Sequence, residues 1–340
     1  MTQSIRRGQR RPISLTEPDL VSIGSLPGRE GALPALVSPN RPDVDLSAWG
    51  AGHRAEVDAL LAQYGAVLFR GFGISSPDMF SASAGSFVEA LFGDYGDLPR
   101  EQDAEKVFSS TPYPADLPIH FHNESAHMAQ WPMRIFFHCA IAAETGGETP
   151  LLDCRKLLSL LDPEIVAEFE QRGLTYIRNF AKGVDVPWSD FFGTTDPQEV
   201  ERKCAEAGTT CEWLPDDVLR IKQDSMGVRE HPVTGERTFF NQVLLHHPAA
   251  LPADTREAMG QLYDQESFPR NVTFGDGSAI PDSVIEHLLT TYEEHAVRVP
   301  WEAGDMIMLD NMLLSHGRAP FTGKRKILVA MAHIQSAAAA

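Results

Sequence analysis

Ile119-His120-Phe121-His122-Asn123-Glu124-Ser125 is the stretch on which the fold of this chain turns, and His316-Gly317-Arg318 answers it far downstream. Side chains two apart on a strand point to one face, so His122 and Glu124 can approach a metal together. A histidine from a distant strand, His316, completes two imidazoles and one carboxylate. That set leaves coordination positions open, as a ferrous site that binds a cosubstrate and dioxygen requires. A structural zinc site would instead be closed by four protein ligands.

Taken alone, a His-x-Glu triplet is weak, because an isolated histidine is more often a satisfied core or surface residue. Three features raise its weight. His122 and Glu124 precede a strand; His316 follows the strand and turn Asp305 to Ser315, with Gly317 allowing close backbone approach; and Arg325 lies nearby. In Arg325-Lys326-Ile327-Leu328-Val329-Ala330-Met331 the alternation puts Arg325 on the apolar face of Ile327, Val329 and Met331. An inward guanidinium needs an anion, either a protein carboxylate in a salt bridge or a ligand's. The dicarboxylate 2-oxoglutarate would serve, chelating iron with its 2-oxo acid end while its far carboxylate reaches Arg325.

The chain has 340 residues, 43% of them hydrophobic and 22% charged, which suits one globular domain. No stretch approaches the roughly 20 apolar residues needed to span a bilayer. A formal charge of −18 argues against nucleic acid or an anionic membrane as partner, so an anionic ligand must be captured by local arginines. Cys139, Cys154, Cys204 and Cys211 show no CxxC spacing and read as reduced thiols of a cytoplasmic enzyme. Arg6-Arg7-Gly8-Gln9-Arg10-Arg11 is followed by no apolar run and reads as a basic tail rather than an export signal.

Residues 1–42 form a Pro- and Gly-rich, partly irregular extension, and 337–340 a tail. Leu46 to Tyr64 reads as a helix stopped by Gly65, Ala66–Phe72 as a buried strand, and Ser76-Pro77-Asp78 as a capped helix start. Arg134 to Ala142 is a strand ending at a glycine turn. Asp162-Pro163 and Asp196-Pro197 open two further helices, the second with Glu199 three residues after its cap. A hairpin turns at Thr234-Gly235-Glu236, a helix spans Asp282 to His295, and Met306–Leu309 and Lys326–Ala330 are the last two strands. The expected fold is mixed α/β but mainly β: a double-stranded β-helix, or jelly roll, of the cupin-like kind over 43–336, with outer helices and a helical insertion at about 155–225.

Taken in order, Gly65–Phe72, Phe121–Glu124, Gly146-Gly147-Glu148-Thr149-Pro150, His231–Glu236, Phe240-Asn241-Gln242, His316-Gly317-Arg318 and Arg325–Leu328 resemble the taurine dioxygenase-like (TauD/TfdA) oxygenases, and within them the SyrP-like amino acid hydroxylases. The resemblance implies His122, Glu124 and His316 as Fe(II) ligands, Arg325 on the far carboxylate of 2-oxoglutarate, Thr149 donating its hydroxyl to that cosubstrate, and O2 as oxidant. Glu124 stands where many relatives carry Asp, and a carboxylate there opposes the halogenating variant of this chemistry. Lys326 would replace Arg325 after a one-residue register shift, and His120 would replace His122. His127, His138, His246 and His247 have no partner spacing. Arg178, Asn241 and Arg318 are candidate substrate contacts, with a structural role as the competing reading for each.

The implied activity is hydroxylation of an unactivated C–H bond of an amino acid or amino acid derivative, free or tethered to a carrier protein, in specialised metabolite biosynthesis. Desaturation or cyclisation by the same oxidant is one alternative. A cupin-like metal protein working without oxygen is another. Acidic charge and missing reader modules disfavour a chromatin demethylase.

Overall fold

Ala66-Val67-Leu68-Phe69 forms a strand buried at every position because it lies inside a sheet covered on both faces. The computed structural model describes residues 20–28, 32–93, 102–110, 113–180, 185–264 and 266–336. The basic stretch Arg6–Arg11 and the tail 337–340 lie outside them. Among the described residues the large sheet has eight strands, in the order Val21–Ser25, Ala35–Pro39, Ala66–Phe69, Met306–Asp310, Gln130–Ile141, Lys326–Ser336, Val107–Ser109 and Gln102–Ala104. Ala35–Pro39 pairs parallel with Ala66–Phe69, and the other neighbours are antiparallel. Residues 20–42, expected to be partly irregular, thus supply two of its strands.

One face of this sheet, with Val67, Phe69 and Met308, packs on Trp49, Phe80 and Phe87. The opposite face, with Leu68, Ile307 and Val329, packs on Leu151 and Leu314. Those two residues belong to a three-stranded sheet, Ile119–His122, Leu314–Arg318 and Leu151–Asp153. Each fully buried Leu, Ile or Phe contributes about 1.5–3 kcal/mol, which is why alternate residues of the large sheet point to two separate cores.

Local signals place most helices. Ser76 Oγ accepts from the Met79 N–H, and Asp162 and Asp196 cap the helices Pro163–Arg172 and Pro197–Glu206. Gly65, at φ +73°, ends the helix Arg54–Tyr64 by donating to the Leu61 carbonyl. The expected single helix from Leu46 is two, Leu46–Gly52 and Arg54–Tyr64, broken at His53, whose ring stacks on Trp49 and bonds its carbonyl. Glu199 closes no capping box and accepts from the Thr194 hydroxyl instead.

The segment 155–225 is less helical than expected. It contributes the strands Leu174–Phe180, Thr210–Leu214 and Val218–Ser225, which join Arg270–Phe274 in a four-stranded antiparallel sheet. Phe180, Leu219, Val200 and Cys204 form its own apolar cluster. His316 does lie on a strand, Leu314–Arg318, although Leu-Ser-His-Gly-Arg lacks the β-branched alternation that marks its bounds.

Candidate metal centre

His122 ends its strand, and Glu124 lies beyond it. The shared strand face inferred from sequence is therefore not what joins them. Their positions come from a net of buried amides. Asn311 accepts from the Glu124 N–H at 2.8 Å through Oδ1 and donates to the Glu124 carbonyl at 2.9 Å through Nδ2. Asn123 donates to the carbonyls of Asn311 and Leu314 at 2.7 and 3.1 Å. Its own backbone N–H donates to the Asn241 carbonyl, and Gln242 Nε2 donates to the Asn123 carbonyl. The turn carrying Asn311 is in turn closed by Asp310, whose Oδ1 accepts from the N–H groups of Met312 and Leu313.

That turn leads into Leu314–Arg318, where His316 pairs directly across the ladder with His122. Residues so paired carry Cβ atoms about 5 Å apart. The two rings lie 4.4 Å apart, His122 Nε2 is 3.9 Å from Glu124 Oε2, and one ligand atom from each of the three residues lies within 4.8 Å of the others. Gly317 permits this approach, because a Cβ there would sit 2.6 Å from the Ile119 carbonyl oxygen. His122 Nδ1 is 2.9 Å from the His120 carbonyl, so it carries the proton and leaves the Nε2 lone pair facing Glu124. Two imidazoles and one carboxylate in this arrangement fit a divalent iron with open positions.

The three side chains line a cavity of about 920 Å³ that also reaches Thr149, Arg318 and Arg325. Arg325 Nε donates to the Gly147 carbonyl at 2.9 Å, and Gly147, at φ +74°, leaves room for the guanidinium where a Cβ would stand 3.1 Å from it. Burial and the neighbouring Arg318 push the Arg325 pKa down to about 10, against a smaller opposing pull from Glu148. Both guanidiniums face the ring of Phe321, at 5.5 and 5.2 Å. Lys326, the register rival, turns to Asp103. Thr149 Oγ1 accepts from Trp301 Nε1 at 3.2 Å; since indole only donates, the hydroxyl proton is left for the cavity.

A profile of the taurine catabolism dioxygenase TauD, TfdA family matches residues 30–331. The chain belongs to the TauD/TfdA family. It is 37% identical over 298 residues to the dapdiamide synthesis protein DdaC of Enterobacter agglomerans, covering 87% of this chain and 90% of that one. To a clavaminate synthase-like protein of Arabidopsis thaliana it is 29% identical, covering 88% and 93%. Its fold is similar to PvcB of Pseudomonas aeruginosa, with a TM-score of 0.54, 14% identity and coverage of 95% and 94%. A taurine dioxygenase of Burkholderia xenovorans gives 0.52 at 17% identity, covering 92% and 88%. TauD/TfdA enzymes are iron- and 2-oxoglutarate-dependent dioxygenases acting on small molecules, which decides against the oxygen-independent cupin-like reading. No helix among the described residues is long and apolar enough to cross a membrane.

Within this TauD/TfdA chain, two of the three candidate substrate contacts lie off the lining of the large cavity. Arg178 does not line the large cavity; its guanidinium grips Asp185 at 2.7 and 3.0 Å. Asn241 is buried away from the cavity and bonds the Gly227 carbonyl and the Val243 N–H. Arg318 does line it, while donating to the carbonyls of Tyr113, Pro114 and Leu117 and so holding that loop over the site. The rival His120 spends Nε2 on the Ala250 carbonyl at 2.9 Å. His138 is held by the Asp305 carbonyl and stacks on Phe80, and His127 and His246 lie against Tyr176. Asn311, Asp185 and Arg270 carry no motif and were not found from sequence. An Asp-Asn pair closing an apolar strand shortly before His316 is the one signal that could have pointed to Asn311.

Proposed function

We propose that the chain binds Fe(II) through His122, Glu124 and His316, holds 2-oxoglutarate through Arg325 and Thr149, and hydroxylates an unactivated C–H bond of an amino acid or amino acid derivative in specialised metabolite biosynthesis. The observation that carries this reading is the convergence of three ligand atoms within 4.8 Å in a cavity that also holds the buried Arg325. Iron in this donor set, with 2-oxoglutarate and dioxygen, supplies an oxidant for C–H bonds, with release of succinate and carbon dioxide.

The protein's own part is positional. His122 is held in one tautomer by the His120 carbonyl, Glu124 by Asn311, and Arg325 by the Gly147 carbonyl, so the cosubstrate meets preset partners. Phe137, Ile327 and Val329 give the cavity apolar walls that exclude water near the reacting carbon. We read 43–336 as one double-stranded β-helix domain, to whose large sheet residues 20–42 add two strands, in which the large sheet and the three-stranded sheet face each other across the cavity, with 155–225 as an insertion. The name of DdaC, a dapdiamide synthesis protein, supports a place in specialised metabolite biosynthesis and with it an amino acid-type substrate, free or carrier-bound.

Anaerobic addition of Fe(II) and 2-oxoglutarate should give a weak visible charge-transfer band, and product mass should show one added oxygen. A two-hydrogen loss would instead indicate desaturation or cyclisation. A correctly metallated protein without the band would overturn the reading.

A further inference from the structure

Two stretches singled out in the sequence, His231-Pro232-Val233-Thr234-Gly235-Glu236 and Phe240-Asn241-Gln242, supply no proposed ligand. They are the turn and the exit of one hairpin, whose strands are Val228–Glu230 and Arg237–Phe239. The turn is bonded to itself: the His231 N–H donates to the Glu236 carbonyl at 2.8 Å, and the Gly235 N–H to the His231 carbonyl at 2.9 Å. The His231 ring looks both ways. Its Nδ1 lies 3.3 Å from the Val233 nitrogen and 3.1 Å from the Thr234 nitrogen. Backbone N–H groups only donate, so Nδ1 accepts and the ring proton sits on Nε2. Nε2 donates it to Asp310 Oδ2 at 3.1 Å, and both side chains are buried.

Asp310 passes that bond on to the metal centre. Its Oδ1 closes the turn that presents Asn311 to Glu124 and leads into His316. Its Oδ2 is shared between His231 and Arg134, which stands directly across the ladder from Asp310. Arg134 belongs to the same large sheet as Asp310, whereas His231 follows a strand of the separate two-stranded sheet, so His231 ties the turn to another part of the molecule. The exit of the hairpin reaches the other ligand segment. The Asn123 N–H donates to the Asn241 carbonyl at 3.1 Å, and Gln242 Nε2 donates to the Asn123 carbonyl at 2.9 Å. Glu236 adds a third tie: Arg155 donates to it at 2.9 Å and grips Asp153 at 2.7 and 3.0 Å. Asp153 pairs with Leu314, at the start of the strand that carries His316.

We infer that this hairpin is a clasp on the metal centre and that His231 is a positioning residue, setting through Asp310 the turn on which Glu124 and His316 both depend. This rests on the metal centre proposed above and extends it to a residue outside the cavity lining. The two roles of the ring can be separated by substitution. In His231→Asn the side-chain oxygen stands near the place of Nδ1 and still accepts from the turn, as in an Asx turn, but the side chain is too short to reach Asp310. In His231→Gln the amide nitrogen stands near the place of Nε2 and keeps the donor to Asp310.

The test is an anaerobic Fe(II) titration of the full chain with 2-oxoglutarate present. His231→Asn should weaken iron binding by about 10–100-fold and shift the visible band, as the loss of an outer partner of a metal site does. His231→Gln should keep affinity and band at wild type. Leu219→Ala, a truncation in the apolar cluster of the inserted sheet, should lower Tm and leave affinity and band unchanged. A second measurement needs no variant. Coupling is reciprocal: if opening the hairpin weakens iron binding, iron makes that opening rarer by the same factor. Amide exchange in 231–236 of the wild type should therefore slow by about 10–100-fold on iron loading, while exchange in Thr210–Leu214 stays the same. Wild-type affinity and band in His231→Asn, an equal loss in His231→Gln or Leu219→Ala, or exchange in 231–236 indifferent to iron would overturn the inference. Wild-type protein that binds no iron would instead strike the metal-centre reading itself, and the wild-type titration tells the two failures apart.

Discussion

Asn311 grips the backbone of Glu124 from both sides, accepting its N–H at 2.8 Å and donating to its carbonyl at 2.9 Å, as a neighbouring strand would. The same side chain also donates to the Pro132 carbonyl, and Asn311 is fully buried. One amide thus ties the segment bearing His122 and Glu124 to the turn that leads into His316.

Asn311→Ala leaves the Glu124 N–H and two carbonyls without partners in the interior. Such a loss costs about 2–3 kcal/mol, and iron affinity should fall by about 10–100-fold because Glu124 is no longer held. Denaturant unfolding and an iron titration check both. Stability lost with iron affinity intact would mean that Glu124 is positioned by other contacts.

Replacing a ligand should cost more than replacing its support. Glu124→Ala and His316→Ala should each lose iron beyond the roughly 10–100-fold expected of an outer-shell change, and chelator treatment of wild type should stop succinate release. Restored succinate release in wild type on adding Fe(II), but not Zn(II), checks the metal.

Arg325 is a buried cation, its pKa pushed down to about 10 by burial and by Arg318. Holding the charge inside costs stability at all pH values below that folded value, and a bound carboxylate offsets the cost. Arg325→Met should therefore melt at the same or a higher temperature than ligand-free wild type, yet lose the rise in Tm that 2-oxoglutarate gives. Lys326→Met, removing the partner of Asp103, should keep that rise. A Tm rise retained by Arg325→Met would reassign the carboxylate site.

Asp310 is a buried acid. Burial raises its pKa, but the His231 hydrogen bond and the charge of Arg134 outweigh that and leave it below the ordinary value. Its folded pKa lies below the unfolded one, so its stabilisation is present above the unfolded value and is lost as pH falls through the folded value. Asp310→Asn should destabilise the protein by about 3–5 kcal/mol at neutral pH, and the penalty relative to wild type should shrink in acid. Unfolding curves across the acid range measure this.

Burial raises the thiol pKa of Cys139 to about 11 and of Cys154 to about 12, and Cys204 is pushed up as well. In the native protein near pH 8 an alkylating reagent should modify the half-exposed Cys211 first. Peptide mass mapping after brief labelling reads the order. Early modification of Cys154 would show that the metal-centre core opens readily.

The helix caps at Ser76, Asp162 and Asp196 and the hairpin at Gly235 were legible because each is decided by a few neighbouring residues. The bounds of the strand bearing His316 were not, because its polar sequence is held by pairing to Ile119–His122 and Leu151–Asp153 rather than by its own propensity. The partner of Arg178 was illegible for a related reason: an arginine in a strand looks the same in sequence whatever anion it meets, and the structure pairs it with Asp185.

By itself the sequence determined the family and singled out His122, Glu124 and His316 as the proposed donors with Arg325 inward, since residue type and order carry that chemistry. Only the tertiary structure decided how the donors meet and where the remaining charges go. Glu124 reaches His122 through Asn311 and not through strand parity, and Arg270 rather than Arg178 reaches the cavity. The reason is physical: hydrogen bonds and ion pairs between residues remote in sequence depend on distances that no local pattern encodes.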